Sequence, residues 1–303
     1  MTDFTGWREF NYDDSTVQLW VFKKSASLAK FRAWHVRTDA QVEGLFRDAI
    51  RSEVVRITEK TAYSHLSQNN ENSCLEHSLE DSEGLIALLQ AVDVPEAENT
   101  DAQLKQLKGA IGYLVKFQHE GQTVYAVRKT APTWKTTVRN KLINAIFVNG
   151  ELSAVPDESF TFDSYFDFYC INETIFVASK RAYETTVSDK TVYKKSFDDL
   201  TVDPQFISVF SDVEPLKNYV GQNAMHLRRM TMIQQKALYR NPGFPERLKT
   251  VSDAREWGIN FDQNGKITIC ESTAKVVMQV LLDHRLYSEV TETIYDVPDA
   301  EVV

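Results

Sequence analysis

The chain has 303 residues, of which 43% are hydrophobic and 25% charged, a composition that excludes a disordered chain and allows one large domain or two ordinary ones. No apolar run approaches the roughly 20 residues of a membrane span, and the first residues lack the basic and apolar regions of a signal peptide. Three widely spaced cysteines predict a cytoplasmic protein with reduced thiols, and the lack of a long apolar run predicts no direct membrane insertion; the net charge is −9.

The first hundred residues predict two strands, a long helix and a loop. Residues 17–22 and 31–36 are rich in β-branched and aromatic side chains, which is typical of strands. Asp39 is placed to cap a helix whose apolar residues recur at helical spacing as far as Ile57. The polar run 67–84, rich in Asn, Ser and Glu, predicts a flexible loop.

The middle of the chain predicts consecutive antiparallel strands. Two hairpins turn at Glu120-Gly121 and at Asn149-Gly150, the second being the stronger turn signal. Alternating phenylalanines, with a turn at Asn172-Glu173, continue the strand pattern through residues 159–179. We therefore predict a meander sheet over residues 111–179.

Helical patterns dominate after residue 183. Asn223 is placed to cap a helix that runs to Tyr239, and a second helix follows the Pro-Gly turn. A short strand, a helix at 272–282 and a strand at 287–295 close the chain. Strands followed by helices predict an α+β fold: a central antiparallel meander sheet flanked by helices, with a helix-rich C-terminal half. We predict a soft boundary between an N-terminal α+β region, 1–104, and a core domain, 105–303.

Charge is strongly segregated along the sequence. Residues 61–104 contain nine acidic side chains and no Lys or Arg, and the rest of the chain balances 34 basic against 34 acidic residues. Residues 105–141 hold eight cations against Glu120 alone, and residues 216–249 hold seven against Glu246 alone. The acidic total is thus a poor guide to what the two basic blocks bind.

The first basic block combines five cations with four threonines and Trp134. Lysine, arginine and hydroxyl side chains hold phosphate backbones without reading bases, and a segment that leaves a hairpin strand is a good place for an exposed contact loop. A solvated loop explains the same composition. The candidate contacts here are Arg128, Lys129, Lys135, Arg139 and Lys141.

The second basic block lies on the two helices that the Pro-Gly turn separates. This arrangement superficially resembles a helix-turn-helix, but ordinary helix pairs share it, and a surface that contacts the DNA backbone fits better than major-groove reading. The candidate contacts here are Arg228, Arg229, Lys236, Arg240 and Arg247.

Catalytic motifs are absent from the sequence. A common nuclease core requires a Lys two positions after an Asp or Glu, and this sequence contains no such pair. It also contains no phosphate loop, no dinucleotide-binding fingerprint and no paired metal-binding histidines. Asp163 and Asp167 are the best candidates for a metal-binding carboxylate pair, although such residues at strand ends are more often turn and cap residues. We therefore expect the protein to have no enzymatic activity and to bind neither a metal ion nor a cofactor.

Several segments together resemble the KwaB family, which is the soluble component of the two-gene Kiwa antiphage system. The similar features are the F-x-F-D-x-x-F-D-F run at 160–168, the I-F-V-A-S-K-R strand at 175–181 and the Tyr183-Glu184 pair that follows. Residues 257–262 and 285–295 are also similar to how such chains end. The resemblance covers residues 150–297, and the N-terminal half only by length and order.

This resemblance implies an antiphage effector that binds double-stranded DNA without sequence specificity and obstructs phage replication and expression. It further implies a homodimer that associates with a membrane-embedded, KwaA-like partner. A metal-dependent nuclease and a scaffold that binds only protein remain alternatives. The acidic segment 67–101 is, by hypothesis, a partner surface or a guard over a basic face.

Overall fold

The computed structural model describes residue 4 and residues 6–25, 31–94, 101–131, 134, 145–148, 151–154, 159–187, 190–288 and 290–297. The chain divides into two compact units. Unit 1 comprises residues 1–63 and 67–188, and unit 2 comprises residues 64–66 and 189–303.

Unit 1 combines strands with four helices among its described residues. Its strands are β1 Thr16–Lys24, β2 Phe31–Val36, β3 Glu59–Ala62, β4 Ser73–Ser78, β5 Gly112–His119, β6 Gln122–Lys129, β7 Ala145–Val148, β8 Glu151–Ala154, β9 Phe168–Ile171 and β10 Thr174–Val177. Its helices are α1 Ala40–Arg56, α2 Glu83–Asp93, α3 Leu104–Lys108 and α4 Lys180–Val187.

An eight-stranded sheet forms the centre of unit 1, in the order β2-β1-β5-β6-β9-β10-β4-β3. All neighbours pair antiparallel except β3 and β4, which are parallel. This mixed sheet with flanking helices confirms the predicted α+β class. The strands on either side of residue 104, β1 and β5, pair along their length, so both predicted regions contribute to one sheet.

Tight turns set the register of two hairpins in this sheet. Glu120 and Gly121 both have positive φ, of 47° and 80°, and join β5 to β6 with His119 opposite Gln122. Asn172 and Glu173 join β9 to β10 in the same way. A two-residue turn with both φ values positive has the twist that antiparallel strands need. Both predicted turns are confirmed.

The predicted meander is interrupted. Strands β7 and β8 form the expected hairpin, but among the described residues they pair only with each other, in a separate two-stranded sheet. Residues 159–167 form no extended strand; Phe162 and Phe166 instead pack against Tyr113 in an aromatic cluster. Alternating aromatic residues therefore mark burial here, without strand pairing.

The prediction of a flexible loop at 67–84 is wrong. Strand β4 occupies its centre and pairs with β10 on one side and β3 on the other. Cys74 and Leu75 are fully buried. These two adjacent apolar residues are too short a run among polar neighbours to predict a strand, so tertiary pairing decides it.

Helices cover both faces of the sheet of unit 1. On one face Phe46 and Ile50 of α1 pack with Val21 and Val115. On the other, the apolar side chains of α2 and α4 pack against the sheet in a second cluster. Helix α1 begins as predicted, because the Asp39 side chain accepts a hydrogen bond from the Val42 amide.

Unit 2 is mainly helical. Its helices are α5 Lys190–Leu200, α6 Pro204–Ser208, α7 Glu214–Val220, α8 Ala224–Lys236, α9 Phe244–Ala254 and α10 Ala274–Leu281, with a 3₁₀ turn at Leu238–Arg240. Its strands are β11 Asn260–Phe261, β12 Ile267–Thr268, β13 Arg285–Ser288 and β14 Thr293–Asp296, paired as two short hairpins. Helix α8 packs Leu227, Met230 and Ile233 into the core of the unit. Asn223 caps it as predicted, and it ends earlier than expected, at Lys236.

No helix in the described residues has the length and apolar content to cross a membrane.

The three cysteines are all free thiols, and only Cys270 is exposed. Burial raises the pKa of Cys74 and of Cys170 to about 12. The Ser272 and Thr273 hydroxyls, 3.1 and 3.3 Å from its Sγ, lower the pKa of Cys270 to about 7.

These pKa values predict that one thiol in the folded protein reacts much faster than the other two. Because the thiolate is the nucleophile, iodoacetamide at neutral pH should label Cys270 first, while Cys74 and Cys170 should react only after unfolding. Peptide mass spectrometry after timed alkylation measures this order. Equal labelling of all three thiols without denaturant would contradict the burial of β4 and β9.

Candidate nucleic-acid interface

Arg128 lies at the end of β6 and contacts two aspartates of the F-D-x-x-F-D-F run. Its Nε donates to Asp163 Oδ2 at 2.9 Å, and its Nη1 donates to Asp167 Oδ1 at 2.6 Å. The guanidinium also lies 4.1 Å from the centre of the Tyr165 ring. We call Arg128, Asp163 and Asp167 the Arg128 cluster.

Asp167 is the centre of this cluster. Its side chain is 1% exposed and accepts a second hydrogen bond, from the Lys129 amide at 2.7 Å. Its backbone carbonyl accepts from the amides of Ala178 and Ser179, just after β10. Burial raises the pKa of Asp167, against the opposing effects of the Lys129 amide and the Arg128 guanidinium. The cluster thus ties the ends of β6, β9 and β10 together.

The Arg128 cluster bears on two predictions: that Arg128 contacts phosphate, and that Asp163 and Asp167 are the best candidates for a metal-binding pair. The Arg128 side chain is 12% exposed and its charge is compensated by two carboxylates, which leaves it little capacity for a phosphate contact. In the same contacts the carboxylates of Asp163 and Asp167 both bind the Arg128 guanidinium. Within the residues that the structure describes, no group of three or more His, Cys, Asp or Glu side chains is arranged to hold a metal ion.

The remainder of the first basic block is only partly described. Lys129 is exposed, and its Nζ donates to the Thr185 hydroxyl at 3.0 Å. Trp134 is buried, 4% exposed, and its indole Nε1 donates to the Leu107 carbonyl. The tryptophan is therefore a core residue and offers no exposed ring face on which a base could stack. Lys135, Arg139 and Lys141 lie outside the described residues.

Helix α8 carries three of the five residues predicted for the second block. Arg228 and Arg229 are half-buried beside the buried face of the helix. Lys236 is also half-buried, and its Nζ donates to the Leu282 carbonyl at 2.7 Å, at the C-terminal end of α10. A cation at this position satisfies a carbonyl that the helix leaves unpaired, so Lys236 has a structural partner.

The other two predicted residues follow α8. Arg240 donates to Asp203 Oδ2 at 2.8 Å, and this contact lowers the pKa of Asp203. Arg247, on α9, is exposed and donates only to the backbone carbonyl of Pro242 in the described structure. Lys249, two residues further on, is exposed as well and lies on nearly the opposite side of the helix. The outward positive charge of this block is thus concentrated on α9.

A third group of cations, which the sequence analysis did not select, lies at an edge of the sheet of unit 1. Lys23 on β1 is directly opposite Arg32 on β2, and both line a pocket with Trp34 and Lys105. These residues come from three separate segments, so no local charge run reveals them. The only local signal is that Lys23 directly follows the first predicted strand and Arg32 lies near the start of the second.

The acidic segment is integrated into unit 1. Glu76 on β4 pairs with Lys60 at 3.0 Å, and Asp93 on α2 pairs with Lys116 at 2.8 Å. The Tyr125 hydroxyl donates to the same Asp93 carboxylate. Because strand β4 lies within this segment, deleting residues 67–83 would remove an interior strand of the sheet. The hypothesis that the segment is a partner surface or a guard over a basic face stays a prediction.

Comparison with known proteins identifies a family. The model of the family described as Kiwa protein KwaB-like matches residues 107–291, which is more than half of the chain. This match spans the strands from β5 to β10 and most of unit 2. No curated protein and no solved structure matches the chain.

Proposed function

Because the chain belongs to the KwaB-like family of Kiwa proteins, which associates it with Kiwa antiphage defence, we propose that it is an effector that binds double-stranded DNA without reading sequence. Binding of this kind depends on lysine and arginine side chains that contact phosphates and release counterions. Protein bound along the DNA in this way obstructs the replication and expression of phage DNA. The proposal involves no catalytic step by this chain.

The observation that carries the proposal is the charge of the α8–α9 segment. Residues 224–254 contain six cations and two acids. Arg247 and Lys249 are exposed on α9, and none of Arg229, Arg247 and Lys249 has a carboxylate partner among the described residues. Uncompensated, outward-facing cations on a helix suit contacts to a phosphate backbone.

The connection between α8 and α9 argues against a base-reading helix-turn-helix. Residues 237–243 separate the two helices and contain a 3₁₀ turn, whereas that motif joins its helices by three or four residues. One face of α8 is also buried in the core of unit 2. Contacts with the phosphate backbone therefore fit the segment better than insertion of α8 into the major groove.

The proposed partners follow from the family. We propose that the chain forms a homodimer in the cytoplasm and joins a membrane-embedded, KwaA-like partner there. A metal-dependent nuclease is a weaker candidate, because a metal ion at Asp163 and Asp167 would have to displace the guanidinium of Arg128 from both carboxylates.

A salt titration of DNA binding tests the proposed function. We expect the protein to bind an arbitrary duplex of about 40 base pairs, with log K falling against log salt by about 0.9 for each phosphate contact. Unrelated sequences should bind equally well. The DNA should remain intact after incubation with magnesium, as judged on a gel; cleaved DNA would support the nuclease instead.

Charge reversal locates the contacts. Replacing Arg229, Arg247 and Lys249 together by Glu should reduce the salt slope by about 2.7, if each side chain holds one phosphate. Replacing Lys135, Arg139 and Lys141 by Glu tests the first block in the same way. Lys275→Glu is the matched control for Lys249→Glu, since both are exposed lysines on helices of unit 2. Equal affinity of the triple variants and the unaltered protein would refute these contacts.

A further inference from the structure

Three of the cations that line the pocket at the edge of unit 1 have no carboxylate partner among the described residues. Lys23 and Arg32 are cross-strand partners in the antiparallel pair β1–β2, so their side chains project from the same face of the sheet. Lys105 of α3 lines the same pocket. Like charges directly opposite each other destabilise a sheet, and in the described part of the chain only the Trp34 ring, whose centre lies 5.3 Å from Lys23 Nζ, partly compensates the pair.

Two other lysines of unit 1 have carboxylate partners. Lys60 pairs with Glu76, and Lys116 pairs with Asp93. Within the described residues, no carboxylate pairs with Lys23, Arg32 or Lys105. Gly109 adds to the arrangement, because a Cβ there would lie only 3.2 Å from Lys23 Nζ. The cluster is thus packed against α3 without a carboxylate partner in the part of the chain that the structure describes.

The size and lining of the pocket indicate more than a bare anion site. Its volume is about 480 Å³, within the roughly 300–1,000 Å³ of small-molecule sites. The Trp34 indole lines it, on the same strand face as Arg32, and Gln106 supplies an amide that can donate and accept hydrogen bonds. An aromatic ring, an amide and three cations match a nucleobase that carries phosphates.

We propose that this pocket binds a nucleoside phosphate, with the phosphates at Lys23, Arg32 and Lys105 and the base against Trp34. The same chemistry occurs in a free nucleotide and in the 5′-phosphorylated end of a nucleic-acid strand. The site is independent of the α8–α9 contacts of the proposed function, since it is built entirely from β1, β2 and α3.

Calorimetric titration of the full chain with ATP, with tripolyphosphate and with a short 5′-phosphorylated oligonucleotide tests the site. ATP or the oligonucleotide should bind, and Arg32→Gln should weaken that binding by about tenfold, with a further similar loss when Lys105→Gln is added. Trp34→Leu should weaken nucleotide binding by at least about fivefold and leave tripolyphosphate binding unchanged. Stronger binding of the oligonucleotide, lost on removing its 5′-phosphate, identifies a strand end as the ligand; preference for ATP identifies a free nucleotide.

The controls separate the site from general charge and from folding. Arg181→Gln, an exposed arginine on α4, should not change ATP affinity. Arg32→Gln should raise the melting temperature of the ligand-free protein, because it removes the repulsion from Lys23. Three results would overturn the proposal: no binding of any probe at millimolar concentration, the same ATP affinity in the Arg32→Gln, Lys105→Gln variant, or tripolyphosphate that binds as tightly as ATP.

Discussion

Replacing Arg128 by alanine is expected to lower the free energy of unfolding by about 3–5 kcal/mol, the cost of breaking a buried ion pair by removing one partner. The Asp167 carboxylate, which is 1% exposed in the unaltered protein, would be left with only the Lys129 amide to stabilise its charge. Urea denaturation followed by circular dichroism measures the loss. Arg181→Ala, at an exposed arginine of the same unit, is the control and should change stability by less than about 0.5 kcal/mol.

The pH dependence of this loss identifies its cause. Removing the guanidinium raises the pKa of Asp167 further, so the folded variant binds a proton more tightly than the unfolded chain. Stability of this origin is present at low pH and is lost as the pH rises through the folded pKa. The difference between the variant and the unaltered protein should therefore be smaller at pH 5 than at pH 7.5. A stable variant that had lost only DNA affinity would instead make Arg128 a phosphate contact, as the sequence suggested.

Replacing Gly84 by alanine is expected to destabilise unit 1 by about 3 kcal/mol, at the upper end of the usual cost of overpacking. A Cβ at Gly84, in the first turn of α2, would lie 1.7 Å from the backbone carbonyl oxygen of Val187 at the end of α4. Because the obstacle is backbone, no rotation of a side chain relieves the clash. Urea denaturation again provides the measurement.

Gly44 offers a matched comparison in α1. A Cβ there has no neighbouring heavy atom within 4 Å, and the residue lies inside a helix. Gly44→Ala should therefore stabilise the protein, by about 0.5–1 kcal/mol, through the higher helix propensity of alanine. Equal effects of the two substitutions would show that α2 and α4 do not pack as closely as the structure has them.

The local sequence was sufficient to predict those features, such as turns and helix caps, that depend only on neighbouring residues. The turns at Glu120-Gly121 and Asn172-Glu173 and the caps at Asp39 and Asn223 formed as predicted, because each depends on backbone geometry within a few residues. Leu45 illustrates the limit: it has the spacing of the buried positions of α1 but is 61% exposed. Only the packing partners of a helix decide how wide its buried face is.

The candidate sites show the same division. Composition marked residues 128–141 and 216–249 as basic, but it could not show that Arg128 and Lys236 are held by partners distant in sequence. It also gave no sign that Lys23, Arg32 and Lys105 meet in one pocket. Charge counts record what a segment contains, whereas the compensation of each charge depends on which segments meet.

Neighbouring residues and motifs along the chain were enough to predict the α+β class, the turns and helix caps, the segregation of charge and the resemblance to the KwaB family. The tertiary structure alone decided that β4 lies inside the sheet and that β7–β8 stands apart from it. It also decided which cations are compensated. Strand pairing and burial join residues that are far apart in sequence, and their energies therefore have no local signature.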